Sequence, residues 1–160
     1  MDEVELGTVA IREIDPSVEL DVLDQAARLI ARDVVGHERR FLDVRDELGA
    51  LNTHLIGLFV LRRRFAGVSF VPGPYQERTR LGYFAIVPPF RGRGLGAQLL
   101  RAHEGLARQH GAQEMILEAY PDTDSFPEGR DAATFYQHMG YQSYGDPRDF
   151  EWIRDLRGEG

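Results

Sequence analysis

The chain has 160 residues, 42% hydrophobic and 28% charged, with a formal net charge of -7 and no cysteine. That length suits one domain spanning residues 1–160 with a buried core, and the negative balance argues against nonspecific partners such as nucleic acid or acidic lipid. Disulfides, thiol nucleophiles and cysteine-held zinc are excluded, no apolar run can span a bilayer, and the acidic start MDEVELG has the wrong sign for a signal peptide. The expected location is cytoplasmic, with no membrane partner.

In chain order, residues 8–14 read as a short β-branched strand. Asp15-Pro16 then offers an N-cap followed by proline at the first helical position. Val18, Val22, Ala26, Leu29 and Ile30 recur at helical spacing, predicting a helix over 16–34. Past Gly36, Phe41, Val44 and Leu48 share one face of a second, charged helix that ends before Gly49. Residues 54–61 (HLIGLFVL) and 65–71 (FAGVSFV) predict paired strands, with Arg62, Arg63 and Arg64 at the hairpin tip. Three adjacent arginines would make an anion patch, but a solvated turn that blocks edge pairing is the better reading. Pro72, Gly73 and Pro74 open a polar loop to Arg80.

Residues 81–87 form an apolar strand that Pro88-Pro89 must end, since neither proline can donate to a ladder. A loop with Gly92, Gly94 and Gly96 leads into a helix over 94–110, closed by Gly111. A buried strand over 114–120 (EMILEAY) follows, then an acidic, turn-rich loop over 121–130. Asp131 can cap a short helix over 132–139 that Gly140 stops. Strands over 141–145 and 150–155 flank Asp146-Pro147.

Strand, glycine loop and helix start, in that order, make a phosphate cradle: the first helical N–H groups lack partners and the helix dipole favours negative charge there. Gly92, Gly94 and Ala97 satisfy the dinucleotide pattern G-x-G-x-x-A, and Glu118 lies where a ribose-binding acid belongs. Four residues intervene between strand and first glycine, however, and the flanking β-α-β units are missing. A P-loop fails because no Gly-Lys-Ser or Gly-Lys-Thr is present.

The run Ile86-Val87-Pro88-Pro89-Phe90-Arg91-Gly92-Arg93-Gly94-Leu95-Gly96 resembles the acetyl-CoA motif of the GNAT (Gcn5-related) N-acetyltransferases, with Arg91 to Gly96 filling its Arg/Gln-x-x-Gly-x-Gly/Ala pattern. A second family signature appears as Ala132, Phe135-Tyr136 and Gly140-Tyr141. The asparagine that members often carry six residues before the Phe is Gly129 here. The resemblance implies an α/β acyl-CoA N-acyltransferase fold, a central, mostly antiparallel sheet of about seven strands with about four helices. It implies acetyl-CoA as cosubstrate, no metal, and direct transfer in a ternary complex to a primary amine on a small molecule or peptide N-terminus. It leaves room for a homodimer, and for a non-catalytic acyl-CoA-binding module on the same fold.

The resemblance also assigns the site. The strand ending near Val87 splays from the next, and the pantetheine arm lies in the gap. Ala85, Ile86 and Val87 offer it backbone groups, with the Ile86 N–H polarising the thioester carbonyl. Backbone N–H groups from Gly92 through Arg93, Gly94, Leu95, Gly96 and Ala97 hold the pyrophosphate, with charge added by Arg91 and Arg93. Tyr136 is the expected proton donor to the CoA thiolate, with Phe135 and Met139 as core residues. Glu118 reads equally as general base or as a structural carboxylate paired to an arginine. Tyr83 and Tyr120 stand near strand positions that could face the acceptor, with core packing the better reading of each. Asp122, Asp124 and Glu128 either attract a cationic amine or keep their loop solvated. The five histidines show no metal spacing and read as packing or surface residues.

Overall fold

The computed structural model describes residues 6–119 and 132–158. Tyr120, the acidic loop over 121–130 and the Asp131 cap lie outside the described residues. Among those described are eight strands and four α-helices. The expected mixed sheet of about seven strands is present as eight strands divided between two four-stranded sheets.

The first sheet contains β1 (Ala10–Glu13), β2 (His54–Val60), β3 (Arg64–Val71) and β5 (Tyr83–Ile86), all antiparallel. From Leu55 to Val60 and from Phe65 to Val71 every residue is buried, because helices cover both faces. On one face α1 (Leu20–Asp33) and α2 (Phe41–Leu48) pack on Leu55, Phe59, Val68 and Phe70. On the other, α3 (Leu95–Gln109) sets Leu95 and Leu99 on Ile56, Leu58 and Ala66. Each leucine so buried stabilises the fold by about 1.5–3 kcal/mol relative to exposure, which fixes the start of α3 firmly under β5.

The second sheet runs β4 (Arg78–Arg80), β6 (Glu114–Glu118), β8 (Glu151–Asp155) and β7 (Gln142–Tyr144). Met115 and Leu117 join Leu100 and Ala107 of α3 with Tyr136 and Met139 in its core. α4 (Ala132–His138) carries Tyr136.

β4 was expected to be loop. Its three residues are too few to show a period, and only its parallel pairing with β6 makes it a strand. β4 and β5 are halves of one extended run that changes sheets in the middle. The Leu81 N–H donates to Ile116 O at 2.8 Å, and the next, that of Gly82, donates to Phe70 O at 2.7 Å. Beyond that switch β5 follows β3 and leaves β6, so a gap opens between them.

α1 also begins later than expected. The Asp15 carboxylate accepts from the backbone N–H and hydroxyl of Ser17, closing a local turn rather than capping the helix, which starts at Leu20. Among the described residues, no helix is long and apolar enough to cross a membrane.

Candidate active site

β5 ends where its hydrogen bonds stop alternating between neighbours. The Val87 N–H donates to Ala66 O at 2.8 Å and is committed to the sheet. Strand amides alternate in direction, so the Ile86 N–H and C=O point to the opposite edge, into the gap. The Ile86 carbonyl confirms this, accepting from Arg91 Nε at 2.7 Å. Pro88–Phe90 then forms one 3-10 turn whose Phe90 is buried against α3.

The same Arg91 guanidinium bonds Asp33, at the end of α1, at 2.9 Å. It therefore ties the glycine loop, β5 and α1 together. Gly92 and Gly94 have φ of 76° and 79°, values that side chains with a Cβ rarely adopt, and Gly94 starts α3 with no side-chain cap. The first turn's amides, those of Leu95, Gly96 and Ala97, face outward at the positive end of a 15-residue helix.

A cavity of about 650 Å³ lies along these elements. Ala85, Ile86, Arg91, Gly92, Gly94, Gly96 and Ala97 all line it, as does Tyr136 from α4. Val87 is half-buried between two core clusters and Leu95 is a core residue, so neither side chain reaches the cavity. Arg93, half-buried, is not in the lining. Asp33, Val34, Phe84, Phe90, Ala132 and Phe135 complete the wall. Phe84 and Phe90 belong to the apolar run and its turn, so their proximity was readable. Nothing in the sequence marks Asp33 or Val34, which arrive from more than fifty positions away.

Tyr136 is 7% exposed, its ring edge-on to Phe84, Phe135 and Tyr141. Burial pushes its phenol pKa upward, so it keeps its proton. Tyr136 lines the cavity, and among the described residues no hydrogen-bond partner is seen for its hydroxyl. Phe135, expected in the core, is instead a half-buried wall residue against Gly96. Met139 does sit in the core.

Glu118 is exposed at the end of β6, opposite Glu151 in the register, and outside the cavity lining. The Tyr83 hydroxyl donates to Glu47 at 2.8 Å, and desolvation together with that carboxylate pushes the phenol up to about 12. His103 is buried between Ser69 Oγ (2.6 Å) and Tyr75 Oη (3.0 Å); His54 and His110 pack on the Tyr75 ring. No group of three metal-binding side chains occurs among the described residues.

The dinucleotide pattern loses its context here, because the strand before the loop pairs antiparallel with β3 and not with β6. Residues 54–143, more than half of the chain, match the acetyltransferase (GNAT) domain family. The chain is a GNAT family member. Over 85 residues it is 32% identical to N-alpha-acetyltransferase 30 of Schizosaccharomyces pombe, covering 51% of this chain and 53% of that protein. The GNAT chain thus spans about half the length of that curated relative. Its fold is similar to that of aminoglycoside 6'-acetyltransferase type Ii, with a TM-score of 0.75 at 16% identity over 94% of this chain and 99% of the other. PaiA N-acetyltransferase of Thermoplasma acidophilum, solved with coenzyme A, gives a TM-score of 0.68 at 16% identity over 92% and 99%.

Proposed function

We propose that this GNAT chain acts as a single domain that transfers acetyl from acetyl-CoA to a primary amine, directly and within a ternary complex. One observation carries the reading: a single cavity joins the open first turn of α3, the edge of β5 at Ile86 and Tyr136 of α4. An uncapped helix start fits a pyrophosphate, and an unpaired strand edge fits the amides of a pantetheine arm.

In this reading the amides from Gly92 to Ala97 hold the pyrophosphate, with Arg93 adding charge. Ala85 and Val87 keep β5 in its sheet so that the Ile86 N–H faces the thioester carbonyl. As the amine nitrogen bonds to the acetyl carbon and the C–S bond breaks, Ile86 stabilises charge on the carbonyl oxygen. Tyr136 gives its proton to the departing sulfur. Glu118, exposed at the end of β6, accepts the ammonium proton through a bridging water. Metal plays no part in this scheme. The names of the relatives support a peptide N-terminus or an aminated small molecule as acceptor. We assign the chain to the cytoplasm, where acetyl-CoA is available.

The test is a thiol-release screen with acetyl-CoA against primary amines and peptide N-termini; the absence of cysteine keeps the protein's own background low. At least one amine should release CoA. Tyr136→Phe should lower kcat by about a hundredfold while calorimetry shows unchanged acetyl-CoA binding. Unchanged turnover would remove Tyr136 from the mechanism. The exposed Glu118, outside the cavity, favours a second reading as a non-catalytic acyl-CoA-binding module. Tight acetyl-CoA binding with no transfer to any amine would support that one.

A further inference from the structure

Glu104 is a carboxylate in the second half of α3, 1% exposed. Burying a charge is costly unless every lone pair is matched, and here the matching is dense. One carboxylate oxygen accepts from Arg101 at 2.8 Å and from Arg154 of β8 at 3.0 Å. The other accepts from the Tyr141 hydroxyl at 2.6 Å. The cluster then reaches α4 by two routes. Arg101 donates to the Met139 carbonyl, just past the end of that helix, at 2.8 Å. Tyr141 sends its backbone N–H to the Tyr136 carbonyl at 3.0 Å and sets its ring edge-on to the Tyr136 ring, centroids 5.6 Å apart. Gly140 between them has a φ of 95° and lies against Arg154, a Cβ there falling 3.1 Å from Nε, so the link leaves no slack.

From these contacts we infer that Glu104 is a positioning residue for Tyr136. α3 carries the phosphate-binding turn at its start and Glu104 further along the same rigid rod. α4 carries the proton donor. Glu104, through Tyr141, Arg101 and Arg154, fixes one helix against the other and so sets how far the Tyr136 hydroxyl stands from the sulfur of a cofactor anchored on α3. A structural carboxylate alone would hold the fold without caring where the phenol points. This inference rests on the assignment of Tyr136 as proton donor.

The test is a double-mutant cycle on the full chain with acetyl-CoA and the panel amine that wild type turns over fastest. Glu104→Gln preserves shape but removes the charge, and Tyr141→Phe removes only the hydroxyl while keeping the ring. Each is expected to lower kcat about tenfold, within the range of direct-contact networks, with KM for acetyl-CoA unchanged because the start of α3 is untouched. In a Tyr136→Phe background neither should lower kcat further. An equal loss in both backgrounds overturns the inference and leaves the proton-donor assignment standing. Full activity of Tyr136→Phe alone overturns that assignment, and no turnover by wild type overturns the proposed function, in each case taking the inference with it. Should Glu104→Gln fail to fold, Tyr141→Phe carries the same cycle.

Discussion

The Arg91 guanidinium donates to Ile86 O at 2.7 Å and to Asp33 at 2.9 Å. The sequence pattern suggested a phosphate ligand; these bonds also make Arg91 a clamp between the end of β5 and α1, beside the cavity. Asp33→Asn should weaken the clamp, letting β5 drift and raising KM for acetyl-CoA up to about tenfold, the scale of a charged hydrogen bond. Thermal stability should hardly move. A lower KM would instead mean that Arg91, once released, serves better as a phosphate ligand. The place of Tyr136 on the cavity was readable because a two-residue aromatic signature marked it. Glu104 was not, because a lone glutamate in a helix that also carries arginine and glutamine shows no sign of burial.

At the scale of elements, hydrophobic runs and glycine stops predicted most helices and strands within a few residues. The exceptions share a cause. β4 is a strand only because β6 lies beside it, and the Asp15 turn wins over a helix cap because Ser17 is near enough to bond. The β2–β3 hairpin was foreseen, with its arginine tip, but not its strain. Arg62 and Arg63 have φ of 58° and 65°, both in the left-handed region that a tight hairpin turn requires. Side chains with a Cβ resist that region, at about 1 kcal/mol or more each. Replacing Arg62-Arg63 with Asn-Gly should raise stability by about 1–2 kcal/mol, read as a higher denaturation midpoint, with acetyl-CoA binding unaffected. A lower midpoint would show that the arginines contribute something the turn geometry does not.

For the molecule as a whole, acid sensitivity is built into the joint between α3 and the first sheet. His103 is buried, and desolvation, then the nearby His54, push its pKa down to about 3 from an ordinary 6.5. The unfolded chain takes up this proton near pH 6.5 while the folded chain refuses it until about pH 3. Stability therefore falls as pH drops through that window, by up to about 1.4 kcal/mol per unit. Melting temperature followed from pH 7 to pH 4 should decline, and the decline should be shallower in His103→Gln. Equal slopes would assign the acid loss to the carboxylates instead.

What the sequence by itself determined is local: an apolar strand stopped by two prolines, a glycine turn whose backbone must run left-handed, a helix start with open amides, and an aromatic pair on a short helix. These follow from steric limits and hydrogen-bonding capacity that each short segment carries with it. Only the tertiary structure decided which of them meet. The sheet switch at Leu81-Gly82 opens the gap, Asp33 comes from α1 to lock Arg91, Glu118 ends outside the cavity, and Glu104 ties the two helices together. Those contacts join residues far apart in the chain, and their partners are chosen by which faces remain to be buried once the helices and strands have formed.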